Sequence, residues 1–378
     1  MTDTADVIII GSGIVGSATA YELAKRGLKV IVLEKYGNVG DGASSRNGAG
    51  VRLGGRVAPE SWLAAKAIRD IWPTLDQELD ADLEYQKAGS LTMAHSEAQV
   101  KACERKIEKD KAAGVESRLI DGAEAREICP HLSNYVEKAV WSPEDGCANP
   151  MMVTLAYYRA ARKLGVRYIT GENVISLEKC RGRIRRVVTE AGTVYEGNQV
   201  VLAAGFNSRR IAKTVGIWIP FLKRVDECLI TEIQPPMFKT RISCADGNFY
   251  GSQTRHGSFI FGGNTNLERY EECYDDKPMN TNKQVSDKCR IIGQFVPALK
   301  GVKVVRYWAG WLDSMVDRLP VIQELEEIPG LVLACGFSGH GFAIGPAVGQ
   351  VVSQIVMGEP TCVDVSALRY DRFKPTGC

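Results

Sequence analysis

The sequence predicts an α/β fold in which a parallel-sheet domain is discontinuous along the chain and a smaller β-rich region is inserted into it. Three observations lead there. A complete β-α-β pattern fills Ala5 to Lys35. A second buried strand running into an apolar helix, Leu331 to Met357, lies near the other end. Between them, from Val225 to Ala309, short strands dominate and only Asn282 to Phe295 reads as helical.

The first unit is the most informative. Val7 to Ile10 is an apolar β-branched run that suits a buried parallel strand. It enters the G-x-G-x-x-G turn Gly11-Ser12-Gly13-Ile14-Val15-Gly16, and a helix follows with Ala18, Leu23 and Ala24 on its apolar side. Gly27 stands where a helix ends, and Val30 to Leu33 forms the next strand with Glu34 at its tip. Gly11 permits the tight turn, Gly13 lets backbone approach a pyrophosphate, and Gly16 lets helix and strand pack closely. First-turn N–H groups and the positive end of the helix dipole then favour phosphate. Glu34 can accept from a ribose 2′-hydroxyl, which favours FAD or NAD over NADP.

The remaining elements follow in order. Gly40 to Gly55 is a loop of small residues that reads as wrapping a ligand. Pro59 to Asp82 reads as a helix interrupted at Pro73, and Leu83 to Ala94 as strands about the turn Ala88-Gly89. Ser96 to Ala113 is a charged, solvated helix, and Asp121 with Glu124 forms a capping box for a helix that stops before Pro130. Pro150 opens a helix that runs to Gly165. Strands are expected at Val166 to Thr170, Val174 to Leu177, Ile184 to Thr189 and Gln199 to Ala203, and in the insert at Cys228 to Ile233, Phe249 to Gly251, Ser258 to Gly262 and Val302 to Tyr307. The domain boundaries expected are 1–90, 146–224 and 310–378 for the nucleotide-binding domain, and 91–145 and 225–309 for the substrate domain.

Composition narrows the function. The 378 residues are 45% hydrophobic and 24% charged with net charge +2, so nothing points to a nucleic-acid partner. No apolar run reaches the length of a membrane span, and MTDTAD lacks the basic start and apolar core of a signal peptide. The eleven cysteines are scattered without a C-x-x-C, which reads as reduced thiols in a cytoplasmic protein with no iron–sulfur cluster of its own. The four histidines have no zinc-site spacing, and no metal is expected.

Taken together, GSGIVG with Glu34, the loop GASSRNGAGVR (Gly42 to Arg52), VLAAG (Val201 to Gly205), WAGWLDS (Trp308 to Ser314) with DRLPVI (Asp317 to Ile322), and GFSGHGF (Gly336 to Phe342) resemble the FAD-dependent D-amino acid oxidase superfamily. The likeness covers nearly the whole chain. The GFSGHGF and WAGW stretches look most like the flavin subunits of heteromeric D-hydroxyproline and opine dehydrogenases and of hydrogen cyanide synthase.

The resemblance implies a Rossmann-like FAD-binding domain with an inserted α+β antiparallel-sheet substrate domain, and non-covalent FAD, since no cysteine lies between Lys303 and Ile322. It implies pyrophosphate at Gly11, Gly13, Ile14, Val15 and Gly16, ribose at Glu34 with Lys35 beside it, and phosphate and flavin along Ser44, Ser45, Arg46, Asn47 and Gly48. Val174 would meet adenine through its backbone, and Ala204 and Gly205 would back the cofactor. Gly339, His340, Gly341, Phe342, Ala343 and Ile344 would bring a helix N-terminus to the flavin's pyrimidine edge, where N–H donors stabilise the charge gained on reduction.

Tyr250, His340 and Arg52 are the catalytic candidates: His340 for its place in the flavin-edge stretch, with a turn-stabilising histidine as the alternative, Arg52 because it ends the flavin-facing loop, and Tyr250 from the resemblance, with a core-packing strand aromatic as its alternative. Tyr250 matches a tyrosine that helps hold substrate carboxylate in glycine oxidase. Ala343 stands where sarcosine oxidases carry a carboxylate-binding lysine, Ile260 where they carry an oxygen-activating lysine, and Leu312 where glycine oxidase carries an arginine. The carboxylate would then fall to Arg52, Arg255 or Arg306, each of which has a structural reading as its alternative. The expected reaction is hydride transfer from the Cα of a D-amino acid, imino acid or opine to flavin, without an indispensable catalytic carboxylate. The expected setting is a heteromeric dehydrogenase whose partner subunits carry an iron–sulfur cluster and possibly a second flavin. The alternative is a self-sufficient oxidase that makes hydrogen peroxide. A surface near Cys273 or Cys289 is the expected partner face.

Overall fold

The computed structural model describes residues 3–269, 280 and 282–374. Two eight-stranded sheets organise them. In the first, the order is Val321–Glu324, Leu331–Cys335, Val194–Leu202, Asp3–Ile10, Val30–Glu34 and Arg167–Thr170. Its inner strands are parallel, with Ile8 opposite Val200 on one side and Ile31 on the other. They are buried on both faces, which explains the unbroken apolar runs. Val174–Cys180 and Arg183–Thr189 extend antiparallel from Val194–Leu202.

The helix Ile14–Lys25 crosses one face and ends at Gly27, whose φ of 80° suits a left-handed cap. The C-terminal helix Gly341–Met357 packs directly on it. A Cβ on Gly345 would lie 2.7 Å from Ile14, and one on Gly349 2.7 Å from Ala18, so two bare backbones set the helices together. Their N-termini thereby open at the same end of the sheet.

The second sheet runs Val304–Met315, Phe221–Thr231, Phe259–Arg269, Tyr250–Gln253, Arg241–Cys244, Ser90–Ala94, Lys138–Ser142 and Arg118–Asp121. All its pairs are antiparallel except Arg241–Cys244 with Ser90–Ala94. Its two faces differ. Leu229, Phe249, Phe259 and Phe261 form a core with Ile292 and Phe295 of the helix Asn282–Phe295. Cys228, Tyr250, Ile260 and Gly262, one residue out of phase, face the other way. The hydrogen bond from Trp308 Nε1 to the Arg46 carbonyl (3.2 Å) fixes that second face against the glycine-rich loop.

Several expectations change here. The boundaries set at 224/225 and 309/310 fall inside the strands Phe221–Thr231 and Val304–Met315, and 90/91 falls inside Ser90–Ala94. Pairing across the sheet, which composition does not reveal, carries these strands past the shifts in sequence pattern. The strands Arg118–Asp121, Lys138–Ser142, Arg241–Cys244 and Val321–Glu324 were unread because each is short. The interrupted helix is real, but the break starts earlier. Ala58–Ala65 passes through a π-helical stretch, Lys66–Ile71, before Pro73, whose missing N–H and bulky ring unsettle the preceding turn. Asp121 caps as read, accepting the Glu124 N–H at 2.9 Å.

Candidate active site

A cleft open to solvent runs between the sheets along the ends of the parallel strands. The dinucleotide-type turn forms one wall. Gly11 has φ 103°, and a Cβ there would lie 2.5 Å from the Ala203 carbonyl oxygen. Gly13, Ile14 and Val15 line the cleft beside it. A Cβ on Gly13 would lie 3.0 Å from Ser44 Oγ, which accepts the Ile14 N–H at 2.9 Å. Gly16 does not reach the cleft; its missing Cβ makes room for the Gly11 carbonyl.

Glu34 lines the cleft and is held on both oxygens. One accepts the Ser12 hydroxyl (2.6 Å) and N–H (3.0 Å), the other the Tyr36 N–H (2.9 Å). Lys35 lines the wall with its ammonium 4.6 Å from the centre of the Tyr36 ring. Val174, Ala204 and Gly205 lie further along, and the Val174 carbonyl already accepts from Arg210 at 3.1 Å.

The glycine-rich loop contributes Ser44, Arg46 and Asn47, whereas Ser45 turns back to the Gly42 carbonyl (3.3 Å). Gly48 lies under the Tyr250 ring. On the opposite wall Gly339, Gly341 and Phe342 line the cleft with Trp311, Leu312 and Asp313. Ala343 and Ile344 are buried in helix packing instead, and the Ala343 carbonyl accepts from Trp72 Nε1 at 2.8 Å. Leu312, read as occupying a relative's arginine position, is on the wall, so that wall carries no cation there.

The three catalytic candidates gather at one end of the loop. His340 is the N-cap residue of the C-terminal helix. Its Nδ1 lies 2.8 Å from Glu60 and its Nε2 3.3 Å from an Arg52 guanidinium nitrogen. Glu60 in turn accepts from Arg56 at 2.7 Å, and Arg56 donates back to the Arg52 carbonyl. Burial alone would push the Glu60 carboxyl up, but Arg56, His340 and Arg52 outweigh it and bring it down to about 2. Burial, opposed by Glu60, lowers His340 to about 4. The imidazole is therefore neutral at pH 7. With carboxylate at Nδ1, the proton sits there and Nε2 accepts from Arg52. This chain of contacts orients the Arg52 guanidinium, which has no carboxylate within ion-pair distance among the described residues.

The structure separates the other arginine candidates from this group. Arg255 pairs with Asp82 at 2.5 Å on the surface, and Arg306 is exposed beside Trp308. In their place stands a residue the sequence reading missed. Arg241 is buried, with its guanidinium 5.0 Å from the centre of the Tyr250 ring and against the Gly50 backbone. A charged residue opening a short apolar strand was the only signal for it. Asp226 was missed as well. It pairs in register with Gly310, whose Cβ position faces Arg46, so its side chain is on the loop-facing side of the sheet. Burial pushes its carboxyl up to about 6, against Arg224, Lys288 and Arg318.

Among the described residues no group of three or more His, Cys, Asp or Glu is placed to hold a metal ion, and no helix is long and apolar enough to cross a membrane. Cys273 lies outside the described residues, and Cys289 is partly buried on the helix Asn282–Phe295.

Comparison with known proteins gives this geometry its chemistry. Residues 6–355 match the family model described as DAO, FAD dependent oxidoreductase. The beta subunit of the sarcosine oxidase of Arthrobacter sp is 27% identical over 377 residues, covering 98% of this chain and 91% of that one. An opine oxidase subunit of Rhizobium meliloti is 27% identical and covers 97% of this chain and 98% of that one. Among solved structures, an L-proline dehydrogenase from P. horikoshii superposes with TM-score 0.89 at 30% identity, over 99% of this chain and 98% of that one.

Proposed function

This chain belongs to the DAO family of FAD-dependent oxidoreductases, and on that premise we propose that it oxidises the C–N bond beside the carboxylate of a D-amino acid, imino acid or opine, as the catalytic subunit of a heteromeric complex. It is an FAD-dependent oxidoreductase acting on amino-acid and amine-like substrates. The observation that carries the finer reading is Arg52: a guanidinium without a carboxylate partner among the described residues, steered by neutral His340, which caps the helix whose Gly341 and Phe342 line the cleft.

The residues present fit FAD. A Cβ on Gly13 would crowd Ser44 on the cleft wall, bare Gly11 lets the turn pack against the Ala203 carbonyl, and first-turn N–H groups beyond that of Ile14 remain for phosphate. Glu34, held by Ser12 and Tyr36, keeps lone pairs for a ribose hydroxyl. When bound, FAD supplies the acceptor for the hydride that leaves the substrate's Cα. This chain's residues do the placing. Arg52 and Tyr250 hold the carboxylate, and His340 with Glu60 keeps Arg52 aimed. The start of the C-terminal helix presents N–H groups to developing negative charge. FAD would lie in the domain built on 1–90, 146–224 and 310–378, shortened where the strands Ser90–Ala94, Phe221–Thr231 and Val304–Met315 carry the second sheet across those limits.

Partner subunits carrying an iron–sulfur cluster and possibly a second flavin complete the electron path in this reading. Support comes from relatives that are themselves named as subunits, of a sarcosine oxidase and of an opine oxidase, and from Ile260 on the loop-facing side of the substrate sheet where a lysine would favour oxygen. The chain is taken as cytoplasmic.

The test is anaerobic stopped-flow bleaching of the flavin in the purified chain with D-amino acids, N-methyl amino acids, prolines and opines, followed by air. Fast bleaching and slow return in air are expected. Immediate return with hydrogen peroxide overturns the dehydrogenase reading in favour of an oxidase. If the chain neither bleaches alone nor with its co-purified partners, the C–N oxidation itself is refuted.

A further inference from the structure

We propose that Asp145 is a positioning residue for substrate binding: with Arg56 it locks the peptide plane that follows Arg52, and so sets where the Arg52 guanidinium points. The inference rests on the reading of Arg52 as the carboxylate seat given above, and adds a second support for that seat from the other sheet.

The peptide between Arg52 and Leu53 has one oxygen and one N–H, and each meets a buried charge. The Arg52 carbonyl accepts from Arg56 Nε at 3.1 Å and from its Nη2 at 3.0 Å. The Leu53 N–H donates to Asp145 Oδ1 at 2.7 Å. Arg56 is 3% exposed and Asp145 1%. The peptide dipole thus lies with its oxygen end on a guanidinium and its N–H end on a carboxylate. Turning the plane over would point the oxygen at the carboxylate and the N–H at the guanidinium. Asp145 has no ion pair among the described residues, and its other oxygen accepts the Ser90 hydroxyl at 2.6 Å. A carboxylate buried among neutral donors is costly, so its place here is a specific one.

The grip extends a backbone ladder. Gly50 pairs with Cys147 and Val51 with Gly146, and Asp145, next along, meets Leu53. Asp145 follows the strand Lys138–Ser142, and Ser90 opens the strand paired with it, so both belong to the second sheet. The helix Glu97–Ala112, packed on that sheet, adds buried Asp110, which accepts the Gly55 N–H at 2.6 Å. Gly55 has φ 77°, and a Cβ there would lie 3.0 Å from Arg52 Nη1, so the guanidinium folds back over bare backbone. Arg52 is held from both sides. Acids of the second sheet fix its backbone, and His340, at the start of the helix Gly341–Met357, meets its guanidinium.

The probe is (methylthio)acetate, a monoacid with no oxidisable amine. It is titrated into the oxidised FAD-loaded protein and read by the flavin difference spectrum. Asp145→Ala should weaken it roughly 10- to 100-fold, the range for a charged hydrogen-bonded contact. Asp145→Asn can still accept from Leu53 and donate to the Ser90 oxygen, and should recover most of that loss. The decisive comparison is made in Arg52→Met. If Asp145 acts through Arg52, adding Asp145→Ala there costs at most about twofold more, whereas an independent structural effect adds in full. Full additivity overturns the proposal. So does an Asp145→Ala protein that binds the probe within about twofold of the unaltered one. If Asp145→Ala does not retain FAD, Asp145→Ser, too short to reach Leu53, decides by the same comparison. Normal probe binding by Arg52→Met refutes the carboxylate seat and the positioning with it; a loss in Arg52→Met without one in Asp145→Ala refutes the positioning alone. Because binding is read without turnover, a failure of amine oxidation shows separately, as a flavin that no amine bleaches.

Discussion

Gly16 offers a sharp test of whether the glycine turn holds phosphate as proposed, because it never touches the cleft. A Cβ there would lie 2.0 Å from the Gly11 carbonyl oxygen, against an ordinary contact of 3.4 Å or more. In Gly16→Ala the helix start and the turn must therefore part by about 1.4 Å. A hydrogen bond near 2.9 Å does not survive such a shift. Losing two N–H contacts to phosphate, at about 1.5–3 kcal/mol each for a charged acceptor, raises the FAD dissociation constant by roughly 10²- to 10⁴-fold. Overpacking also lowers stability by about 1–3 kcal/mol. The assay is flavin fluorescence quenching on titration into apoprotein, with urea unfolding of the same sample. Gly27→Ala is the control. Gly27 has φ 80° with nothing within 4 Å of its Cβ position, so the change should cost about 1–2 kcal/mol of stability and leave FAD affinity alone. If Gly16→Ala binds FAD within about threefold of the unaltered protein, the packing account of this glycine is wrong.

Three further outcomes follow from the site. Arg52→Met should keep FAD but weaken (methylthio)acetate roughly 10- to 100-fold in the same spectral titration, while a surface change such as Arg255→Met should not. Acid sensitivity should centre on His340 and Glu60. Both bind protons less readily folded than unfolded, so their stability is present above about pH 6.5. It is lost as pH falls, first toward 4 for the imidazole and then toward 2 for the carboxyl. Urea midpoints from pH 7 to 4 should fall, and His340→Gln should flatten that fall; an unchanged slope removes His340 from the account. Asp313 has the opposite sign. Burial raises it to about 6 despite the Gly336 N–H it accepts at 2.8 Å, so its contribution is present below its ordinary value near 3.8 and is lost as pH rises through 6. Asp313→Asn should therefore gain stability relative to the unaltered protein as pH rises from about 4 to 6, and a pH-independent difference across that window would count against a buried charge there.

The elements legible in the sequence are those whose cause is local. Val7 to Ile10, the turn at Gly11 and Gly13, the cap at Gly27 and the acid at Glu34 follow from side-chain periodicity and permitted backbone angles over a few residues. The glycine-rich stretches were legible for the same reason, and most of the residues expected to hold the cofactor line one cleft. Ser45, Gly48, Gly16, His340, Ala343 and Ile344 do not line it. Motif membership says which stretch is near the ligand, while the direction of each side chain depends on what packs behind it.

By itself, then, the sequence determined an interrupted α/β chain with a dinucleotide cradle, because glycine placement and strand periodicity act within a single β-α-β unit. Only the tertiary structure decided the far side of the site. It brought Glu60 to His340 across 280 residues and set Arg241 beside Tyr250 on neighbouring strands, while taking Arg255 and Arg306 to the surface. The physical reason is that a lone arginine carries no sign of its surroundings. Whether it ends paired at the surface or buried against a tyrosine is fixed by strand register in the second sheet, which long-range pairing sets and local sequence does not encode.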